Sequence, residues 1–97
     1  MDHAKFKASI AGDEPPAELT GPQRALWHAG KGDWSTAHDI IQDDETSDAA
    51  WVHAHLHRME GDMPNARYWY SKAGKPFTDV SLDEEFDTIA NILIGRS

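Results

Sequence analysis

An all-α fold of two stacked helix-turn-helix hairpins with a C-terminal capping helix is what this sequence predicts, and three observations predict it. First, His28-Ala29-Gly30-Lys31-Gly32-Asp33-Trp34-Ser35-Thr36-Ala37 and His57-Arg58-Met59-Glu60-Gly61-Asp62-Met63-Pro64-Asn65-Ala66 share the His, the Gly-Asp pair and the Ala at a constant offset of 29 residues. A fixed period of this size marks stacked helical hairpins. Second, apolar residues recur at three-and-four spacing after the first Gly-Asp pair and on both sides of the second. Third, another amphipathic segment follows Pro76. With 97 residues, 39% of them hydrophobic, the chain suits one domain over 1–97 with a small core and modest stability.

Residues 1–19 read as a leader arm. Ala4 to Ile10 can form a short helix, which Gly12-Asp13-Glu14-Pro15-Pro16 stops, because proline lacks an amide donor and forces the residue before it into extended geometry. The first hairpin spans 20–45. Thr20-Gly21-Pro22-Gln23 spells a capping box and predicts a helix from about Gly21 to Gly30, with Pro22 placed where no backbone donor is needed. In Gly30-Lys31-Gly32-Asp33 the glycines can turn left-handed and Asp33 can cap the next helix, whose apolar face is Trp34, Ala37, Ile40 and Ile41.

The second hairpin spans 46–76. Ser47 or Asp48 can cap a helix across Ala49 to Glu60 whose stripe is Ala49, Val52, Leu56 and Met59. Gly61-Asp62 repeats the turn, and Met63, Ala66, Trp69, Tyr70 and Ala73 repeat the apolar pattern up to Gly74 and Pro76. The capping helix spans 81–95. Ser81-Leu82-Asp83-Glu84 is a second capping box, Leu82, Phe86, Ile89 and Leu93 form one stripe, and Asp83, Glu84, Glu85 and Asp87 form an acidic outer face. A helix of this kind closes the apolar end that stacked repeats leave open.

Ala54, the Gly61-Asp62 turn, Ala66, Tyr70, Ala73 and Pro76 resemble the tetratricopeptide repeat, best between Gly61 and Pro76. Trp69-Tyr70-Ser71-Lys72-Ala73 is similar to the ending of shorter relatives of that repeat. The first copy keeps Gly32-Asp33-Trp34 and Ala37, but carries Ile41 in place of the aromatic and Asp44 in place of the small residue. The period is also shorter than the ~34 residues of that family. The chain as a whole, leader and capping helix included, is similar to a small bacterial family. The resemblance implies helix pairs with small residues at their crossings and a role as a binding scaffold.

Composition narrows the function further. Seventeen acidic against nine basic residues give a net charge of −8, which repels nucleic-acid phosphates. Met1 to Pro16 has no apolar run, so neither a signal peptide nor a membrane span is expected there. The chain has no Cys, which removes disulfides and thiolate ligands, suits a reducing cytoplasm, and leaves His and carboxylates as the strong metal ligands. No cofactor is implied. Phosphate loops, nucleophile elbows and calcium loops have no counterpart here, and Ser35, Ser47, Ser71 and Ser81 fall where capping or solvation explains them. No catalysis is expected.

Two sets of residues remain as sites. Trp51 and Tyr68 fall off the apolar stripes, Arg58 shares a side of its helix with Trp51, and His55 points away from His53 and His57; Trp, Tyr and Arg are the types enriched in binding hot spots. On that reading the protein is a non-catalytic protein–protein interaction module, binding a protein partner or itself through Trp51, His55, Arg58 and Tyr68. The alternative is a small His/Glu metal-binding protein, with or without hydrolytic activity. His53, His57 and Glu60 share a helix face through separations of four and three, and the repeat puts His28 where His57 sits in the second copy. His28, His53, His57 and Glu60 are then the ligands; otherwise these histidines are packing rings between helices.

Overall fold

The structure, a computed structural model, describes residues 1–95. These residues form six helices and no strand: α1 (His3–Ser9), α2 (Gly21–Gly30), α3 (Trp34–Ile41), α4 (Ser47–Met59), α5 (Met63–Ala73) and α6 (Leu82–Gly95). No helix among them is long and apolar enough to cross a membrane.

The helix ends follow the local chemistry. Thr20 and Gln23 make both bonds of the capping box at the start of α2. The two Gly-Asp turns are the same turn. Gly32 and Gly61 take φ of 81° and 79°, a region nearly closed to residues with a Cβ. Each lets the following Asp N–H reach back to a histidine carbonyl, Asp33 to His28 and Asp62 to His57, both at 2.9 Å. Each Asp side chain then caps the next helix, accepting from the Thr36 and Asn65 amides. The cap of α4 is Thr46, one residue ahead of the two expected, with its Oγ1 accepting from Ala49 N.

Helices α2 and α3 pack together across the first Gly-Asp turn and α4 and α5 across the second, with α3 also against α4. Ala37 and Ala66 are fully buried. Helix α4 is the centre of the molecule: every residue from Ala49 to His57 is buried, so it has no solvent face along that stretch.

Helix α6 lies across α4, α2 and α1. Its inward face is Glu85, Ile89, Ala90, Leu93 and Ile94, with Phe86 half-buried. This corrects the expected stripe at one end, where Leu82 is 38% exposed, and the expected acidic outer face at Glu85, which is 3% exposed. The residues ahead of α2 are also built in. Phe6 is fully buried and lies 6.3 Å from Phe86, while Trp27 Nε1 donates to Ser9 Oγ at 3.1 Å. Gln23 Nε2 donates to Leu93 O at 2.9 Å and ties α2 to the end of α6.

Candidate metal centre

Three histidines meet where α3 crosses α4. His53 and His57 stand one turn apart on α4 and stack at 4.9 Å between ring centroids, 16° from parallel. His38 of α3 meets His53 edge-on at 4.7 Å. Each of the three offers a ring nitrogen within 4.8 Å of the others'. Two tryptophans bracket the group: Trp34 stacks on His38 at 4.8 Å, and Trp69 of α5 stacks on His53 at 3.8 Å. Trp34 is itself fixed, because its Nε1 donates to Leu56 O at 2.7 Å.

His53 and His57 are buried and His38 half-buried. Burial, together with the neighbouring His57 and His38, holds His53 down at a pKa of about 4, so its ring is neutral at neutral pH. His57 Nδ1 lies 2.7 Å from Glu60 Oε1, which leaves Nε2 as the free nitrogen of that ring. Glu60 and Asp62 make a second group of donors around His57 on the turn that ends α4.

The helix-face argument rightly puts His53 beside His57 and Glu60 beside His57, but His28, the third histidine it offers, lies elsewhere. His28 lies edge-on to Trp27 at 5.1 Å on α2 and takes no part. The repeat equates His28 with His57, and equivalent positions in successive hairpins lie a full repeat apart in space instead of converging. His38 was the residue missed. The available signal was its place one turn after Trp34 and next to Ala37, on the flank of α3 that faces the next hairpin.

The residues expected to make a partner surface do not share one. Tyr68 is 55% exposed, whereas Trp51 is 6% and His55 2% exposed. Trp51 lies under Lys75, whose Nζ is 4.4 Å from the ring centroid. His55 and Arg58 are taken up by Glu85. Glu85 Oε1 is 2.6 Å from His55 Nδ1 and accepts from Arg58 Nη1 at 3.0 Å, while Oε2 accepts from the Tyr70 hydroxyl. Arg58 Nη2 also donates to Val80 O. Falling off an apolar stripe does not imply exposure on a helix enclosed from every side. Burial pushes the Glu85 carboxyl up, but the hydrogen bonds from His55, Tyr70 and Arg58 and the charge beside it outweigh burial and hold it below the usual range. The Tyr70 hydroxyl is pushed up by burial and by that carboxylate.

His53 makes stability depend on pH in the metal-free protein. In the unfolded chain a histidine takes up its proton near 6.5, whereas folded His53 does so only near 4. Between these values the unfolded state holds the extra proton, so stability is fully present above pH 6.5 and is lost as the pH falls to about 4. The separation corresponds to roughly 3 kcal/mol. Urea midpoints measured in chelator at pH 7.5, 5.5 and 4 are expected to fall through this window, with a shallower fall for His53→Phe.

Compared with known protein families, curated proteins and solved structures, the chain matches none.

Proposed function

We propose that this protein binds a divalent transition metal through His38, His53 and His57, with Glu60 as the outer partner of His57. The observation that carries this reading is the convergence of three ring nitrogens within 4.8 Å around a histidine that burial keeps neutral. Metal ligation requires neutral imidazole. Neither His38 nor His53 commits a ring nitrogen to a hydrogen bond with another described residue, so both have nitrogens to give. A tetrahedral ion with bonds of about 2.0–2.1 Å requires nitrogens ~3.3 Å apart, so binding would draw together a group that already lies within 4.8 Å.

An all-imidazole donor set favours zinc, nickel or copper over magnesium and calcium, which prefer oxygen. Glu60 would orient His57 and raise its basicity, the usual work of a carboxylate behind a metal-bound histidine. Three protein ligands leave one position of a tetrahedral ion for water, and His38 is the side of the group nearest solvent. Of the residues expected on a protein-partner surface only Tyr68 is exposed, so the interaction-module reading has less support.

Calorimetric titration of zinc chloride into tag-free protein at pH 7.5 tests the proposal. One ion per chain is expected to bind with micromolar or tighter affinity and to raise the melting temperature by mass action. Affinity is expected to fall at least 100-fold in His38→Ala and in His53→Ala/His57→Ala, and to be unchanged in His28→Ala. No binding by the wild type, or binding that survives both sets of substitutions, overturns the reading.

A further inference from the structure

A concavity elsewhere in the molecule shares no residue with the three-histidine group. A cavity of about 620 Å³ lies where α1, α2, α4 and α6 meet. That volume is within the range of small-molecule sites. Its walls include Ile10, Met59 and Phe86, its mouth carries Lys7 and Asp87, which are ion-paired at 2.8 Å, and His55 forms part of its lining.

The chemistry of His55 specifies what would fit. Its Nδ1 faces the Glu85 carboxylate at 2.6 Å. That carboxylate is ionised, since its hydrogen bonds hold it below the usual range, and it therefore requires the His55 proton on Nδ1. In the neutral ring Nε2 is then a bare acceptor, and no described residue donates to it. Arg58 and Glu85 neutralise one another beneath it at 3.0 Å. The complement to this floor is an uncharged group that donates.

The surroundings narrow the class. Phe86, its ring centroid 6.2 Å from that of His55, offers an aromatic wall. Carboxylate ligands are opposed by Asp83 and Asp87 at the cavity and by the net charge of −8. An ammonium ligand would have to leave water for these apolar walls, a cost that an exposed carboxylate such as Asp83 offsets little. We propose that this cavity binds a small neutral aromatic molecule bearing one O–H or N–H donor, of the phenol or indole class, with His55 Nε2 as the acceptor and Phe86 as the packing surface.

The probes are phenol, toluene, benzoate and benzylamine, each titrated into the full-length protein and followed by NMR shifts of His55 and Phe86. Phenol is expected to give saturable shifts at millimolar concentration or below and to bind about tenfold more tightly than toluene, which has the same ring and no donor. His55→Phe is expected to abolish the preference for phenol while toluene still binds, which reports an intact cavity. Should that variant fail to fold, Met59→Trp fills the cavity from its wall and is expected to remove the binding of both. No saturable phenol shift in the wild type, tighter binding of benzoate or benzylamine than of phenol, or an undiminished phenol preference in His55→Phe overturns the proposal.

Discussion

Glu85→Ala is expected to lower the stability of the folded protein by about 3 kcal/mol, read as a fall in the urea midpoint at pH 7.5. Glu85 is 3% exposed and receives His55, Arg58 and Tyr70 at once. Taking away one member of a buried ion pair leaves the other charged and unpaired, which typically costs ~3–5 kcal/mol. The lower end applies because Arg58 keeps its bond to Val80 O and stands at the edge of the core. Glu85→Gln retains the shape and one acceptor oxygen but cannot neutralise Arg58, so a smaller loss is expected. A midpoint unchanged in Glu85→Ala would show that the three donors find other partners without penalty.

Truncation after Lys75 is expected to abolish cooperative folding. Helix α6 buries Ile89, Leu93 and Ile94, each 3% exposed or less, and burial of a large aliphatic side chain contributes about 1.5–3 kcal/mol. The three together reach roughly 5–9 kcal/mol by that measure, comparable to the ~5–15 kcal/mol that holds a domain of this size together. The truncation also removes Glu85, so His55, Arg58 and Tyr70 lose their shared acceptor, and it uncovers Phe6, which lies against Phe86. Circular dichroism is expected to show a broad, shallow melt, and light scattering to show association through the exposed faces. A sharp transition in the truncated chain would mean that the two hairpins suffice alone.

The turns were the most legible part of the sequence. Gly32-Asp33 and Gly61-Asp62 encode their geometry locally, one residue supplying positive φ and the next the cap, and the structure repeats them to within a few degrees. The capping box at Thr20 and Gln23 is equally local. The sites were harder to read because they depend on how helices meet. A separation of four places His53 and His57 on one face whatever the fold, but only the crossing of α3 over α4 decides that His38, not His28, joins them. The acidic run from Asp83 to Asp87 reads as a solvated face until Arg58 and His55 are known to lie beneath it, and charge alone cannot distinguish Glu85 from its neighbours. Trp51 shows the same limit: its helix is walled in by α3, α5, α2 and α6, so periodicity, which finds one buried side, had no exposed side to contrast with it.

The seam between α6 and the helices that precede it by most of the chain imposes an order in time. Each Gly-Asp turn closes a loop of a few residues, whereas the Gln23–Leu93 bond joins groups 70 positions apart. Closing a longer loop loses more chain entropy, and contacts between distant residues slow the search for the native state. The helix pairs joined by the Gly-Asp turns are therefore expected to form first and α6 to dock last. Until α6 docks, the sides of α2 and α4 that it covers stay exposed, so association between chains is expected to compete with the last step of folding.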